Sequence, residues 1–314
     1  MSLEAPILVT GAAGRTGGVG GAIVEMLLSR GLPVRALVRT DDDRAGALRA
    51  TGAEVVVGDL TRVEDVARAL DGCRRMYFGM SVSPSYLEAT ATAAAVARER
   101  VGLEALVNIS QLTVSQMSLT AMTDSRQQRQ HWLGEQVLNW SGLPVVHVRA
   151  TVFLQHPFFS PWAAESIARD GTIRLPFGEG KTSPVDIRDV AQVIATVLES
   201  PAAHVGKVYE LTGPRSEDMR AVAAEFSEAL GRTITYVDEP FDRWRRELDG
   251  RNLPEHLRDH LLTMAKLHAD NRYDRLTHDV EAVTGRPATS IRDYVANHPE
   301  IFGPGGTAPP TGSR

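Results

Sequence analysis

Between Val9 and Leu27 the chain reads VTGAAGRTGGVGGAIVEML, with six glycines that fit G-x-x-G-x-x-G in two registers, Gly11/Gly14/Gly17 or Gly14/Gly17/Gly20. Glycines at this spacing let a backbone turn tightly and approach a pyrophosphate closely, while the next helix offers unpaired N–H groups to the anion. No Gly-Lys-Ser/Thr comes after it, so the loop is not a P-loop. The residues downstream set the chemistry that such a cradle serves. The second apolar run, PVRALVR, ends in Arg39, where an acidic residue would select the free ribose hydroxyl of NAD. A guanidinium there suits a 2′-phosphate, so NADP(H) is favoured over NAD(H). Asp41, Asp42 and Asp43 come directly after and also suit the first turn of a helix. After the third run, GDL places Asp59 to accept a bond from an adenine amino group and Leu60 to pack beside the ring; a helix-entry turn is the alternative.

The elements that position these residues are short apolar runs alternating with helical patterns. PILVT, PVRALVR, AEVVVGD, RRMYFGM, LEALVNIS and LPVVHVRAT read as strands. The segments between them carry apolar residues at helical spacing. TRVEDVARALDGC starts as a capped helix, with Thr61 as N-cap and Glu64 three residues on. Buried strands separated by helices predict a doubly wound α/β fold with a parallel sheet. Residues 1–150 form the nucleotide-binding Rossmann domain, its sheet completed by about 185–213. Residues 151–302 form a smaller interleaved C-terminal lobe, and 303–314 a flexible Gly/Pro-rich tail. FLQHPFFSPWAAESIARDG reads as an aromatic-rich helix, and GKVYELTG as a strand rejoining the main sheet.

Composition narrows the function classes. The net charge is −5, with acids interleaved among the arginines, so no basic field points to nucleic acid. No apolar run reaches the roughly 18–20 residues of a membrane span. A lone cysteine, Cys73, forms no intrachain disulfide and fits a reducing, cytoplasmic setting. It is expected to be a small buried residue rather than a nucleophile. HLRDH, His256 to His260, reads as a solvated helical face rather than a metal site, because it lacks the order of the common zinc helix. No other metal site is expected.

ILVTGAAGR, AIVEMLLSRGLPVRALVR, AEVVVGDL, SGLPVVHVRATVFLQ, SPVDIRDVAQVIATVL and GKVYELTGP together resemble the NmrA-like branch of the atypical short-chain dehydrogenases/reductases, from about Ile7 to Pro299. The resemblance implies an NAD(P)-binding Rossmann domain and a ligand cleft. It covers both reductases and cofactor-sensing regulators. In the family pattern the third glycine lies five residues before a glutamate matched by Glu25, which selects Gly20. Gly11 and Gly14 then make the turn. Arg15 to Val19 form a lengthened lip, with Arg15 and Thr16 placed to bond phosphate. Gly79, Met80 and Ser81 are expected beside the cofactor. Ser110 and Gln111 stand where the superfamily keeps a substrate-side serine.

The superfamily's Tyr-x-x-x-Lys pair is absent. On the matching helix, QHWLGEQVL, its counterparts are His131 and Glu135, one turn apart, read as a weak general acid and a group that orients it. Phe153 and His156 are candidate substrate contacts. The expected function is an NAD(P)H-dependent reductase of a small-molecule acceptor such as a quinone, enone or dye, for which positioning outweighs proton donation. The alternative is a non-catalytic NADP(H) sensor with a regulatory protein partner. The oligomeric state is not legible.

Overall fold

The computed structural model describes residues 5–14, 18–100 and 102–303. The chain divides into two compact units. The first comprises Met1–Thr123, Gln127–Ala150 and Ile187–Glu210. The second comprises Asp124–Arg126, Thr151–Asp186 and Leu211–Arg314.

The main sheet is built from β1 (Ile7–Thr10), β2 (Val34–Val38), β3 (Glu54–Val57), β4 (Arg75–Phe78), β5 (Ala105–Gln111) and β6 (Val145–Ala150). Between them run helices α1 (Val19–Ser29), α2 (Asp43–Ala50), α3 (Val63–Leu70), α4 (Tyr86–Glu99) and α5 (Arg126–Trp140). After the excursion into the second unit come α7 (Ile187–Glu199) and the last strand, β9 (Val208–Leu211). The seven strands lie in the order β3-β2-β1-β4-β5-β6-β9, and β1 through β6 pair in parallel. Burial on both faces explains the unbroken apolar runs: all four residues of β1 are buried. Helices α3 and α4 share a core with β1, β2, β4 and β5, formed by Leu8, Leu37, Leu70, Phe78, Tyr86 and Leu106 among others. α7 packs against α1. The strand order reverses between β1 and β4, the point at which open parallel sheets bind ligands beyond the strand ends.

The second unit contains α6 (Pro161–Asp170), β7 (Thr172–Leu175), β8 (Lys181–Thr182), β10 (Glu217–Asp218), α8 (Met219–Leu230), β11 (Thr235–Asp238), α9 (Phe241–Asp249), α10 (Glu255–Ala269) and the short helices α11 (Asp279–Thr284), α12 (Ile291–Ala296) and α13 (Pro299–Phe302). β7 pairs with β11 in parallel and β8 with β10 antiparallel. Its core is aromatic, around Phe158, Phe159, Trp162, Phe177, Phe226 and Trp244.

Three sequence expectations are corrected. The helix read from Phe153 begins only at Pro161. Pro157 and Pro161 both lack a donor, and the Ser160 hydroxyl bonds Leu154 O at 2.6 Å, holding 153–160 in turns. The N-cap of α3 is Arg62, not Thr61, whose hydroxyl is spent on Asp59. His260 is no solvated residue: it is buried and its Nδ1 lies 2.9 Å from Ser125 Oγ. Residues 304–314 lie outside the described residues. No helix among those described is long and apolar enough to cross a membrane.

Candidate active site

The glycine turn leaves β1 through Gly11, whose φ of +67° lies in the left-handed region. The Gly14 N–H closes the turn on Gly11 O at 3.2 Å. A Cβ on Gly11 would sit 2.6 Å from Gly79 O, so the ends of β1 and β4 touch backbone to backbone. A Cβ on Gly20 would sit 2.8 Å from Gly11 O and 2.9 Å from Ala12 Cα. Gly20 is therefore the residue that lets α1 close on the turn, and the geometry favours the register Gly11/Gly14/Gly20. α1 starts from Gly18 with no side-chain cap among the described residues and no acid in its first turn. Val19, expected in the lip, is already helical. Arg15 and Thr16 lie outside the described residues.

Thr10, fully buried, fastens the turn to β4. Its hydroxyl accepts the Gly79 N–H and donates to Gly79 O, both at 2.9 Å. Tyr77, buried on β4, lays its phenol across the place a Gly79 Cβ would fill. Met80 is partly buried against the sheet core. Ser81 Oγ lies 3.6 Å from the Cβ position of Gly14.

At the end of β2 the acids are paired within their own helix. Asp41 takes both guanidinium ends of Arg49, at 2.7 and 3.0 Å. Asp42 caps α2, accepting the N–H groups of Arg44 and Ala45, and takes the Arg44 guanidinium at 2.5 Å. Hydrogen bonds from these arginines hold both carboxyls below their usual range. Arg39 is exposed, and its positive charge acts on Asp59. Arg44 also donates to Ala13 O in the glycine turn at 2.7 Å. Nothing in its sequence context marked Arg44 out, because the link to Ala13 is tertiary. Asp59 Oδ1 accepts the Thr61 N–H at 2.9 Å and the Thr61 hydroxyl at 2.8 Å, so it forms the entry turn of α3. Those two bonds, then Arg39, lower its carboxyl. Leu60 packs on the sheet core.

At the C-terminal end of β5, Ser110 is 3% exposed and its hydroxyl has no hydrogen-bond partner among the described residues. Gln111 beside it is half-buried. In register, Ser110 faces Arg149 and Asn108 faces His147, which places all four side chains on one side of the sheet. Along α5 the matching stripe is His131, Glu135 and Asn139, spaced four apart. Asn139 Oδ1 and Asn108 Nδ2 hold the two ring nitrogens of His147 at 3.0 and 3.1 Å. Burial pulls the His147 imidazole below its usual range. Glu135, 1% exposed, receives Arg149 at 3.0 and 2.6 Å. Arg149 also reaches Glu210 at 3.6 Å. Glu135, expected to orient His131, has both its oxygens bonded by Arg149. His131 instead meets Gln127, at 3.1 Å, with the Tyr86 ring 4.1 Å away. The pairing of Arg149 with Glu135 was hidden in the sequence because helical spacing says nothing of strand partners, whereas Gln127, four residues before His131 on the same helix, carried a spacing signal that was passed over.

Phe153 and His156 belong to the second unit. Phe153 bridges Val185. His156 accepts the Phe158 N–H on Nδ1 at 3.3 Å and packs against its ring. Burial, then His260 and His268, pull its imidazole well below the ordinary range. His268 is stacked between Phe177 and Tyr273 at 4.1 and 3.9 Å. Cys73 is partly buried, and burial pushes its thiol up to about 11, which makes it a poor nucleophile.

This strand order, with a glycine turn after β1, defines a Rossmann-type α/β protein. The chain belongs to the NmrA-like family, whose model matches residues 4–295. It is 31% identical over 292 residues to an NAD(P)H azoreductase of Xenophilus azovorans, covering 92% of this chain and 98% of that one. It is also 31% identical over 298 residues to the (4-alkanoyl-5-oxo-2,5-dihydrofuran-3-yl)methyl phosphate reductase of Streptomyces griseus, covering 95% and 99%. Among solved structures, the NADPH-dependent quinone oxidoreductase of Escherichia coli in complex with NADPH superposes with a TM-score of 0.78 at 23% identity, covering 93% and 99%.

Proposed function

We propose that the chain is an NADPH-dependent reductase that delivers hydride to a small, electron-poor acceptor. The observation that carries this reading is Ser110: a buried hydroxyl without a partner among the described residues, at the end of β5, the strand next to β4 at the strand-order reversal. A buried polar group left unpaired costs about 1–3 kcal/mol, so a ligand that pairs it gains that much. Two relatives matched over nearly their whole length are reductases, which favours turnover over sensing.

The chain's residues fit a dinucleotide. The contacts at Gly11 and Gly20 leave no room for side chains, so the turn brings bare backbone toward a pyrophosphate. Arg39 holds the 2′-phosphate, and Arg44, anchored on Ala13, adds a second guanidinium. Asp59 and Leu60 border the adenine side, while Gly79, Met80 and Ser81 border the ribose and nicotinamide. Bound there, the nicotinamide supplies the hydride. Ser110 donates a hydrogen bond to the acceptor or carboxamide, and Gln111 borders the acceptor. Glu135 and Arg149 fix α5 on β6 and thereby hold the wall behind Ser110.

The test is NADPH oxidation by the purified protein across azo dyes, quinones and enones, with binding measured in parallel. Oxidation with at least one class is expected. Tight NADPH binding with no oxidation across the panel overturns the reductase reading in favour of a cofactor sensor.

A further inference from the structure

The Gln127 side chain spans two elements of the first unit. Its Oε1 accepts the backbone N–H of Ser83 at 3.3 Å, and its Nε2 lies 3.1 Å from Nε2 of His131. A backbone N–H can only donate, so the oxygen of this amide must face Ser83. The amide nitrogen therefore faces His131. It too can only donate, so the imidazole Nε2 must accept.

We infer that Gln127 is a positioning residue that locks His131 as the neutral imidazole with its proton on Nδ1, and at the same time ties the loop after β4 to α5. The tautomer of a histidine is set by the bond its other nitrogen makes, and here that bond is set by a peptide group. An imidazolium would turn an N–H against the amide N–H. His131 is also buried, with the Tyr86 ring against it and Glu135 one turn on committed to Arg149. It is therefore not the proton source for reduction. It is the fixed end of a Ser83–Gln127–His131 brace, and Ser83 lies in the loop that carries Met80 and Ser81. Gln130 adds a second tie to that loop, donating to Pro84 O at 2.8 Å. The proton that completes the reduction after hydride transfer then comes from water, which suits an acceptor whose reduced anion is stable. The catalytic weight of the brace rests on the reductase reading; its tautomer does not.

The imidazole 15N spectrum of the full-length protein tests it without turnover, with His131 assigned by its loss in His131→Gln. The expected spectrum has a pyrrole-type Nδ1 and a pyridine-type Nε2 at neutral pH. Gln127→Glu keeps an acceptor for Ser83 but turns an oxygen toward Nε2, and the proton is expected to move there. A wild-type Nε2 that is already protonated, or a Gln127→Glu spectrum unchanged from wild type, overturns the inference. Gln127→Met removes both bonds and is expected to weaken NADPH binding about fivefold, the worth of roughly one hydrogen bond. Unchanged affinity overturns the bracing role. An unexpected spectrum alongside normal NADPH oxidation refutes the tautomer alone, and the converse refutes the reductase reading alone.

Discussion

Thr10 and Gly79 hold each other by two hydrogen bonds of 2.9 Å, in which one hydroxyl serves both the N–H and the C=O of a single glycine. This reciprocal pair clamps the ends of β1 and β4 together at the strand-order reversal. Thr10→Val keeps the shape and removes both bonds. The buried Gly79 N–H then loses its partner, and a loss of about 1–3 kcal/mol is expected in urea unfolding. A midpoint unchanged from wild type would show that the clamp adds nothing to the fold.

Gly20→Ala places a methyl against Gly11 O and Ala12. Backbone cannot move aside as a flexible side chain can, so a stability loss of about 1–3 kcal/mol is expected, with weakened NADPH binding. Gly18→Ala is the control for space, because among the described residues no atom beyond its chain neighbours lies within 4 Å of its added methyl, although its φ of +47° carries a smaller penalty. Equal losses in the two variants would contradict the close-approach account.

Arg39→Ala is expected to weaken NADPH binding by about tenfold or more while changing NADH little, since a charge-assisted phosphate contact is worth about 1.5–3 kcal/mol. Arg44→Ala is expected to act in the same direction and also to free the turn at Ala13. Titration of each variant with both cofactors separates phosphate recognition from a general loss of fold, which would weaken the two cofactors alike.

Arg149→Met strands the Glu135 carboxylate at 1% exposure. Removing one partner of a buried pair costs about 3–5 kcal/mol, whereas combining Arg149→Met with Glu135→Gln is expected to recover much of it. Chemical unfolding of the single and double variants measures the difference. A single variant as stable as wild type would mean that water reaches the site.

Burial holds the imidazoles of His260 and His268 down to about 4 and about 3. In the unfolded chain each takes a proton near its usual 6.5, so the unfolded state binds more protons between the two values. Stability is therefore full above about pH 6.5 and falls as pH drops through the folded values. Thermal unfolding is expected to show a midpoint that declines below about pH 6.5, and His268→Gln to flatten part of that decline. A midpoint independent of pH between about 6.5 and 4 rules out these histidines as the titrating groups.

The doubly wound sheet was legible because buried parallel strands need unbroken apolar runs, as in ILV of β1 and ALV of β5. β9 was legible too, from the apolar positions in KVYELTG. Gly20 was singled out by the family resemblance, through its distance from Glu25, and its close approach to Gly11 and Ala12 is the physical reason a glycine stands there. Partners across elements stayed hidden from sequence spacing. Glu135 and His131 share a helical stripe, yet Glu135 is held from a strand and His131 from Gln127. Pro157 and Pro161 carried a signal against a helix at Phe153 that the aromatic periodicity masked. The pairing of Asp41 with Arg49 and Asp42 with Arg44 explains why three acids after β2 do not cancel Arg39: two of them are spent on arginines of helix α2.

The chain leaves the first unit at Thr151 and returns at Ile187, so α7 and β9 are the last pieces of the sheet domain to be translated. Until they emerge, the face of α1 that α7 covers and the edge of β6 that β9 extends both stand open on the ribosome. Nascent chains stalled before residue 187 therefore carry an unfinished sheet domain with an exposed apolar face, and chaperone demand during synthesis should peak in that interval and drop once residue 211 clears the exit tunnel.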